Sequence, residues 1–155
     1  MSSLIRLKNL VLSSSIAFAA LLPCVASATL GEPESSVQAD SRQLQGSIKE
    51  ADHDSYRVHE IQLPSGTLVR EFVGLDGRVF AVAWKGPFIP NLRQMLGSYF
   101  DAYVAAAKAT HADHRHLQIQ QSDLVVQAGG HMRSFSGRAY LPQAIPAGVS
   151  LGDLH

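Results

Sequence analysis

The densest group of residues that could hold a metal ion lies in one short polar stretch. It comprises His111, Asp113, His114 and His116. Imidazole and carboxylate ligands suit Zn²⁺, Cu²⁺ or Ni²⁺. The spacing matches no closed structural zinc site, and the one cysteine, Cys24, lies in a segment that we expect to be removed. We therefore expect weak metal binding at most, from a polar loop, and we predict no bound cofactor.

His59 and Glu71 form a candidate acid–base pair, because the predicted strand register places them side by side on a largely apolar face. In such surroundings a carboxylate and an imidazole perturb each other's pKa. They could act as general acid and base, or as a polar anchor in a small pocket. The structural alternative, which we favour, is a cross-strand ion pair at the sheet margin that stabilises the fold by roughly 0.2–1 kcal/mol.

A third group of candidate residues lies near the end of the chain. It comprises His131, Arg133, Arg138 and Tyr140, beside a predicted tight turn. Such side chains could hold an anionic ligand or a peptide carboxylate. The alternative is a hairpin whose outward face is simply solvated.

The first two hairpins must position the acid–base pair. Residues 56–63, 67–73 and 78–84 are rich in β-branched and aromatic residues, which predicts three antiparallel strands. The turn at residues 64–66 and the Asp76-Gly77 turn set the register. Ile61 then faces Val69, Glu60 faces Arg70, His59 faces Glu71, Val73 faces Phe80 and Val69 faces Trp84.

The rest of the predicted fold is one long helix and a second hairpin. Apolar residues recur at helical spacing from Leu92 to Ala107, so this helix should cover the sheet. Residues 117–127 and 131–141 should form a hairpin that turns at Gly129-Gly130, which would place Val126 opposite Arg133. The predicted fold class is α+β, with an antiparallel sheet of about five strands and the helix packed on one face.

The first 28 residues predict a secretory signal peptide. Basic residues precede an uncharged apolar stretch, and Ala26-Ser27-Ala28 supplies the small-residue cleavage pattern. We expect cleavage after Ala28, a periplasmic or secreted protein, and no membrane span after cleavage; an uncleaved anchor is the alternative. Residues 29–54 hold two basic and six acidic residues, a net −4, and predict a mobile acidic leader. Residues 55–155 should form a single domain.

Composition excludes several classes of protein. The chain has 155 residues, with 13 basic and 13 acidic ones, so the overall charge does not favour nucleic-acid binding. It contains no G-x-G-x-x-G, Walker, G-x-S-x-G or C-x-x-C motif. We therefore lean against an enzyme.

Five short motifs together resemble a known family. They are residues 63–67 (LPSGT), 80–84 (FAVAW), 96–100 (LGSYF), 129–133 (GGHMR) and 137–142 (GRAYLP). In combination they resemble the uncharacterised exported "domain of unknown function 2844" family of Gram-negative bacteria. The resemblance implies export and a single folding unit, and it implies no activity.

Three functional hypotheses follow. The leading one is a non-catalytic binding or accessory domain of the cell envelope, whose partner is an unknown envelope protein or a small ligand. The second is a small periplasmic enzyme or metal-binding protein that uses His59 and Glu71 or the cluster at residues 111–116. The third is a structural or assembly subunit that pairs through a sheet edge at residues 117–127 or 149–154.

Overall fold

The strands come in two runs, and most strands that are neighbours in the sequence are also adjacent in the sheet. The structure, a computed structural model, describes residues 30–109 and 116–155. Three short 3₁₀ turns, at Gly97–Tyr99, Pro142–Ala144 and Leu151–Asp153, accompany the longer elements. The longer elements are α1 (Ser35–Gln43), β1 (Ser47–Asp52), β2 (Tyr56–Gln62), β3 (Leu68–Gly74), β4 (Val79–Gly86), α2 (Leu92–Leu96), α3 (Phe100–Ala109), β5 (His116–Gln120), β6 (Val125–His131) and β7 (Ser134–Tyr140).

One antiparallel sheet runs through the described parts of the chain, in the order β1-β2-β3-β4-β7-β6-β5. The α+β class is as predicted, but the sheet has seven strands rather than five. One extra strand is β1. The other arises because the predicted strand at residues 117–127 breaks at a turn, where the Gln121 N–H donates to the Leu124 carbonyl, and so becomes β5 and β6.

The prediction of a mobile acidic leader is wrong for residues 30–54. This segment forms α1 and β1, and β1 pairs along its length with β2. Leu30 and Val37 are fully buried, and Leu44 and Ile48 pack against the same core. Four well-spaced apolar side chains anchor this segment, although one of its acidic side chains, Asp40, is itself fully buried.

The register of the first hairpins is confirmed except at one point. Ile61 faces Val69, Glu60 faces Arg70 and His59 faces Glu71. The predicted partner of Val73 was Phe80. A bulge beside Phe72 and Val73 makes Val79 its partner. Phe80 is the extra residue, so its ring joins the opposite face of the sheet, where it packs against Phe72.

The predicted turn of the last hairpin is wrong. His131 pairs with Ser134, so the turn is Met132-Arg133, and Val126 faces Ala139 rather than Arg133. Arg133 adopts φ +63° to close it. Gly129 and Gly130 lie within β6, and a Cβ at Gly130 would lie 2.2 Å from the Ser134 carbonyl oxygen. That glycine is needed for close backbone approach and not for the turn.

The helical region spans residues 92–109 in three pieces. Asn91 caps α2 by accepting from the Gln94 N–H at 3.3 Å. Gly97, at φ +46°, ends α2 and leads through the 3₁₀ turn into α3. None of the helices within residues 30–109 and 116–155 is both long and apolar enough to span a bilayer.

The sheet has two differently covered faces. On one, hereafter the covered face, Ile61, Val82 and Trp84 pack with residues of α1 and α2, and α3 lies against the same core. On the other, hereafter the outer face, the residues after β7 provide the cover, and Leu154 is fully buried there. The sheet residues of that outer core are Val58, Phe72, Phe80, Ala81, Ala83, Val125 and Tyr140.

Candidate functional site

The principal candidate site is a groove on the outer face, beyond the end of its apolar core. Its volume is about 600 Å³. Three strands contribute its cationic side chains: Arg70 from β3, Lys85 from β4 and Arg138 from β7. No aspartate or glutamate side chain from the described parts of the chain lines it. We call this feature the basic groove.

Two neighbouring cross-strand rows build the groove. The register aligns Arg70, Ala83, Arg138, Gln127 and Gln118 in one row across five strands. Two residues further along each strand, about 7 Å away, a second row follows on the same face. That row consists of Leu68, Lys85, Ser136, Gly129 and His116.

Small residues hollow out the floor of the groove. Ser136 and Gly129, which line the groove, lie between Lys85 and His116 in the second row. Because side chains at these positions rise only slightly from the sheet, the long side chains around them enclose a depression. The last residues of the chain, Leu154 and His155, add a wall.

The two arginines are held in fixed orientations. Arg70 Nε donates to Glu60 Oε1 at 2.7 Å, and its Nη1 donates to the main-chain oxygen of His155 at 2.5 Å. Arg138 Nε donates to Gln127 Oε1 at 2.8 Å, and its Nη1 donates to the main-chain oxygen of Leu151. Both partners of Arg138 are uncharged, so its positive charge is not neutralised by them.

Only one of the four residues predicted for an anionic ligand lines the groove. Arg138 does so. Tyr140 lies on the same face but is buried in the outer core. His131 and Arg133 are exposed at the hairpin tip, outside the lining.

Sequence reasoning missed Arg70, Lys85 and Gln127 as site residues. The correct β2–β3–β4 register already placed Arg70 and Lys85 on one face. Because the β6–β7 turn was predicted at the wrong residues, the predicted register did not contain the row that joins Arg70 to Arg138 and Gln127.

Three members of the predicted metal cluster, His111, Asp113 and His114, lie outside the described residues. His116 begins β5, is exposed, and lines the basic groove. Within residues 30–109 and 116–155, no three His, Cys, Asp or Glu side chains are grouped so as to hold a metal ion.

The predicted acid–base pair lies on the covered face, beneath α1. His59 and Glu71 face each other across β2 and β3, and are only 3% and 1% exposed. The His59 ring contacts other carboxylates: its Nε2 is 2.9 Å from Glu34 Oε1, and its Nδ1 is 3.6 Å from Glu50 Oε1. Burial alone would raise the pKa of Glu34, but hydrogen bonds from Arg57 and His59 outweigh it and hold that pKa below its usual value.

Glu71 occupies an unusual position for a carboxyl group. Neither of its carboxyl oxygens has a hydrogen-bond partner in the described chain. Burial, together with the nearby charge of Asp40, raises the pKa of Glu71 to about 8. Asp40 is itself fully buried, and its Oδ1 accepts from Gln94 Nε2 at 2.8 Å. Glu71 is therefore mostly protonated at neutral pH.

This buried cluster lies apart from the two cavities. Neither His59 nor Glu71 lines the basic groove or the apolar cavity described below. Its contacts join α1, β1, β2 and α2 to one another, which is the geometry of a structural polar network. Their assignment as catalytic residues stays a prediction.

Comparison with known proteins gives a match to one family profile. Neither the curated proteins nor the solved structures contain a match to this chain. A family profile described as "Protein of unknown function (DUF2844)" matches residues 26–154, which include all five motifs quoted above. Because this match covers far more than half of the sequence, the chain belongs to the DUF2844 family of proteins of unknown function.

Proposed function

We propose that this protein is an exported, non-catalytic binding module of the cell envelope that holds an anionic ligand in the basic groove. The observation that carries the proposal is the pair of cross-strand rows. They place Arg70, Lys85 and Arg138 around a floor of small residues, with no acidic side chain from the described residues in the lining.

The charges of the groove favour an anion. Glu60 neutralises Arg70 on one side. Lys85 is exposed and has no ion pair within the described ranges, and Arg138 contacts only uncharged acceptors. Two uncompensated cations at one end of the groove match a phosphate or a carboxylate, and guanidinium nitrogens bind both oxyanions in a fixed planar geometry.

The groove also has the size and composition of a ligand site. Its volume of about 600 Å³ lies within the roughly 300–1,000 Å³ range of small-molecule pockets. The amides of Gln118 and Gln127 and the imidazole of His116 supply further polar groups along the rows.

Binding without catalysis is favoured by how the potential reactive groups are arranged. Ser136 and His116 both line the groove, but Gly129 separates them in the row. They form no hydrogen bond with each other in the described structure, so the serine has no activating base there. His59 and Glu71 lie on the opposite face of the sheet.

The proposal of export rests on the first 28 residues. Their basic start, uncharged apolar stretch and Ala26-Ser27-Ala28 sequence are typical of a cleaved secretory signal. Expression in a Gram-negative host, followed by periplasmic fractionation and N-terminal sequencing, tests it. A mature protein that starts at Thr29 is the expected result, and retention of the intact precursor in the cytoplasm would contradict it.

A titration followed by NMR tests the groove. Citrate and pyrophosphate, as carboxylate and phosphate probes, are added to ¹⁵N-labelled protein at constant ionic strength. We expect saturable shifts of the Gly129, Gly130 and Gly137 amides, because these glycines line the groove. The relative affinities of the two probes identify the preferred oxyanion.

A charge-matched pair of variants supplies the control. Lys85→Gln combined with Arg138→Gln removes both uncompensated cations and should weaken binding at least tenfold. Arg42→Gln combined with Lys49→Gln removes the same charge from exposed sites in α1 and β1 and should leave binding unchanged. Equal losses in both double variants would indicate non-specific attraction and would overturn the proposal.

A further inference from the structure

A second cavity lies on the covered face, between α3 and the sheet. Its volume is about 360 Å³. Tyr103 and Val104 from α3 line one side, and Trp84, Ala128 and Phe135 from β4, β6 and β7 line the other. We call this feature the apolar cavity; its lining shares Trp84, Leu117, Ala128, Gly129 and Ser136 with that of the basic groove.

The apolar cavity exists because α3 packs less closely than its neighbour. Met95 and Leu96 of α2 are fully buried, whereas α3 has no buried residue despite its apolar stripe. The sheet opposite α3 carries small residues. Ala128 pairs with Gly137, and a Cβ at Gly137 would come within 2.3 Å of the Trp84 ring. The indole therefore lies over Gly137 of β7, a position that a larger residue there would block.

One charged group accompanies this apolar surface. Lys108, in the last turn of α3, is the only charged residue among the described residues of the lining and is exposed. It has no ion pair with a described residue. The Tyr103 hydroxyl group is a further polar group in this lining, and Ser136, whose side chain belongs to the outer-face row, also borders the cavity. The cavity thus combines an apolar, aromatic interior with a single cation at its rim.

We propose that the apolar cavity binds a medium-chain aliphatic carboxylate, with its chain against Trp84, Tyr103 and Phe135 and its carboxylate beside Lys108. The apolar lining favours burial of a hydrocarbon chain. The single rim cation selects an anionic end over a neutral or cationic one. The volume lies within the roughly 300–1,000 Å³ range of small-ligand sites. The two cavities share part of their lining, but this proposal does not rest on the anion proposed for the basic groove.

Fluorescence of Trp84 provides a direct test, since it is the only tryptophan of the chain. The purified protein is titrated with decanoate and, separately, with decan-1-ol, both below their aggregation limits. We expect a saturable change with both, and about three- to fivefold tighter binding of the carboxylate, the size expected for one exposed ion pair. Lys108→Gln should abolish that preference and leave binding of the alcohol unchanged.

Two variants that fill the cavity from opposite sides complete the test. Ala128→Leu acts from the sheet and Val104→Phe from α3, and each should weaken decanoate binding at least tenfold while circular dichroism remains that of the wild type. Two variants are used because either one alone could perturb folding. Lys85→Gln, in the basic groove, is the control because Trp84 borders both cavities.

Several results would overturn the proposal. They are the absence of a saturable change in the wild type, undiminished binding in a folded cavity-filled variant, or a loss of binding in Lys85→Gln. Equal affinity for acid and alcohol would overturn the role of Lys108.

Discussion

At the scale of single residues, the clearest effect of folding is the raised pKa of the Glu71 carboxyl group. This residue is only 1% exposed and lacks a hydrogen-bond partner among the described residues. Transfer of an ionised carboxylate into such surroundings is costly, so the folded protein keeps the proton. The position of this side chain, opposite His59, was predictable from turn chemistry. Its burial was not, because the covering helix α1 comes from a segment whose composition indicates disorder.

The raised pKa predicts that stability falls as pH rises. The pKa of Glu71 moves from 4.5 to about 8 on folding. Below pH 4.5 both states hold the proton. Between pH 4.5 and 8 the unfolded chain has released a proton that the folded chain retains, so the free energy of unfolding declines through this window and levels off above it.

Glu71→Gln should remove most of this pH dependence. The amide keeps the shape of the side chain but does not titrate. Urea unfolding of variant and wild type from pH 5 to pH 9 should show the variant gaining relative stability, on the order of a few kcal/mol, as the pH rises to 8. Glu32→Gln, which removes an exposed carboxyl from the segment before α1, is the control. Parallel curves for Glu71→Gln and wild type would show that Glu71 does not titrate in this range.

At the scale of elements, the first two hairpins were predictable and the last was not. The Asp76-Gly77 pair is the strongest local signal available and lies in the loop between β3 and β4, but the turn begins one residue earlier than predicted, at Gly74, whose carbonyl accepts from the Gly77 N–H. The equally suggestive Gly129-Gly130 pair lies inside a strand, because the close approach to the Ser134 carbonyl requires glycine there. From sequence alone, a glycine pair that forms a turn cannot be distinguished from one that allows a close backbone contact. The wrong turn gave a wrong register, in which the side chains of the basic groove were not aligned.

Opposite effects of two substitutions should confirm this assignment. Arg133 holds φ +63° at the turn, a conformation that costs a non-glycine residue about 1 kcal/mol. Arg133→Gly should therefore raise stability by several tenths of a kcal/mol to about 1 kcal/mol. Gly130→Ala should lower it by more than that, because the new methyl group would contact the Ser134 carbonyl.

Chemical denaturation measures both changes. Met132→Gly is the matched control, since Met132 is 86% exposed and its φ is not positive. It should be neutral or slightly destabilising. A destabilised Arg133→Gly together with a tolerated Gly130→Ala would instead support a turn at the glycines.

At the scale of the whole molecule, the two ends of the described chain cover opposite faces of the sheet. Residues before β2 close the covered face through Leu30 and Val37, and residues after β7 close the outer face through Leu154. The fold class followed from the grouping of the strands into runs on either side of the helix. The cover that the two ends provide could not be predicted, because it joins residues far apart in the sequence through isolated apolar side chains.

Leu154 should therefore contribute far more to stability than its position near the end of the chain indicates. It is fully buried, whereas Leu151 in the same tail is 42% exposed. Leu154→Ala should lower the free energy of unfolding by about 2–4 kcal/mol, the usual cost of emptying a buried leucine site. Leu151→Ala should cost about 1 kcal/mol or less. Similar small losses in thermal unfolding for both variants would show that the tail is not part of the core.

The burial of Leu30 bears on the order of events during export. Its N–H donates to the Met95 carbonyl at 3.1 Å, and its side chain is only 1% exposed. The proposed cleavage site, after Ala28, is only two peptide bonds upstream. A signal peptidase needs an accessible, extended substrate on both sides of the scissile bond, and docking of Leu30 would withhold one side. Under the proposed export, maturation must therefore precede completion of the fold, and a precursor that folded too early would resist processing.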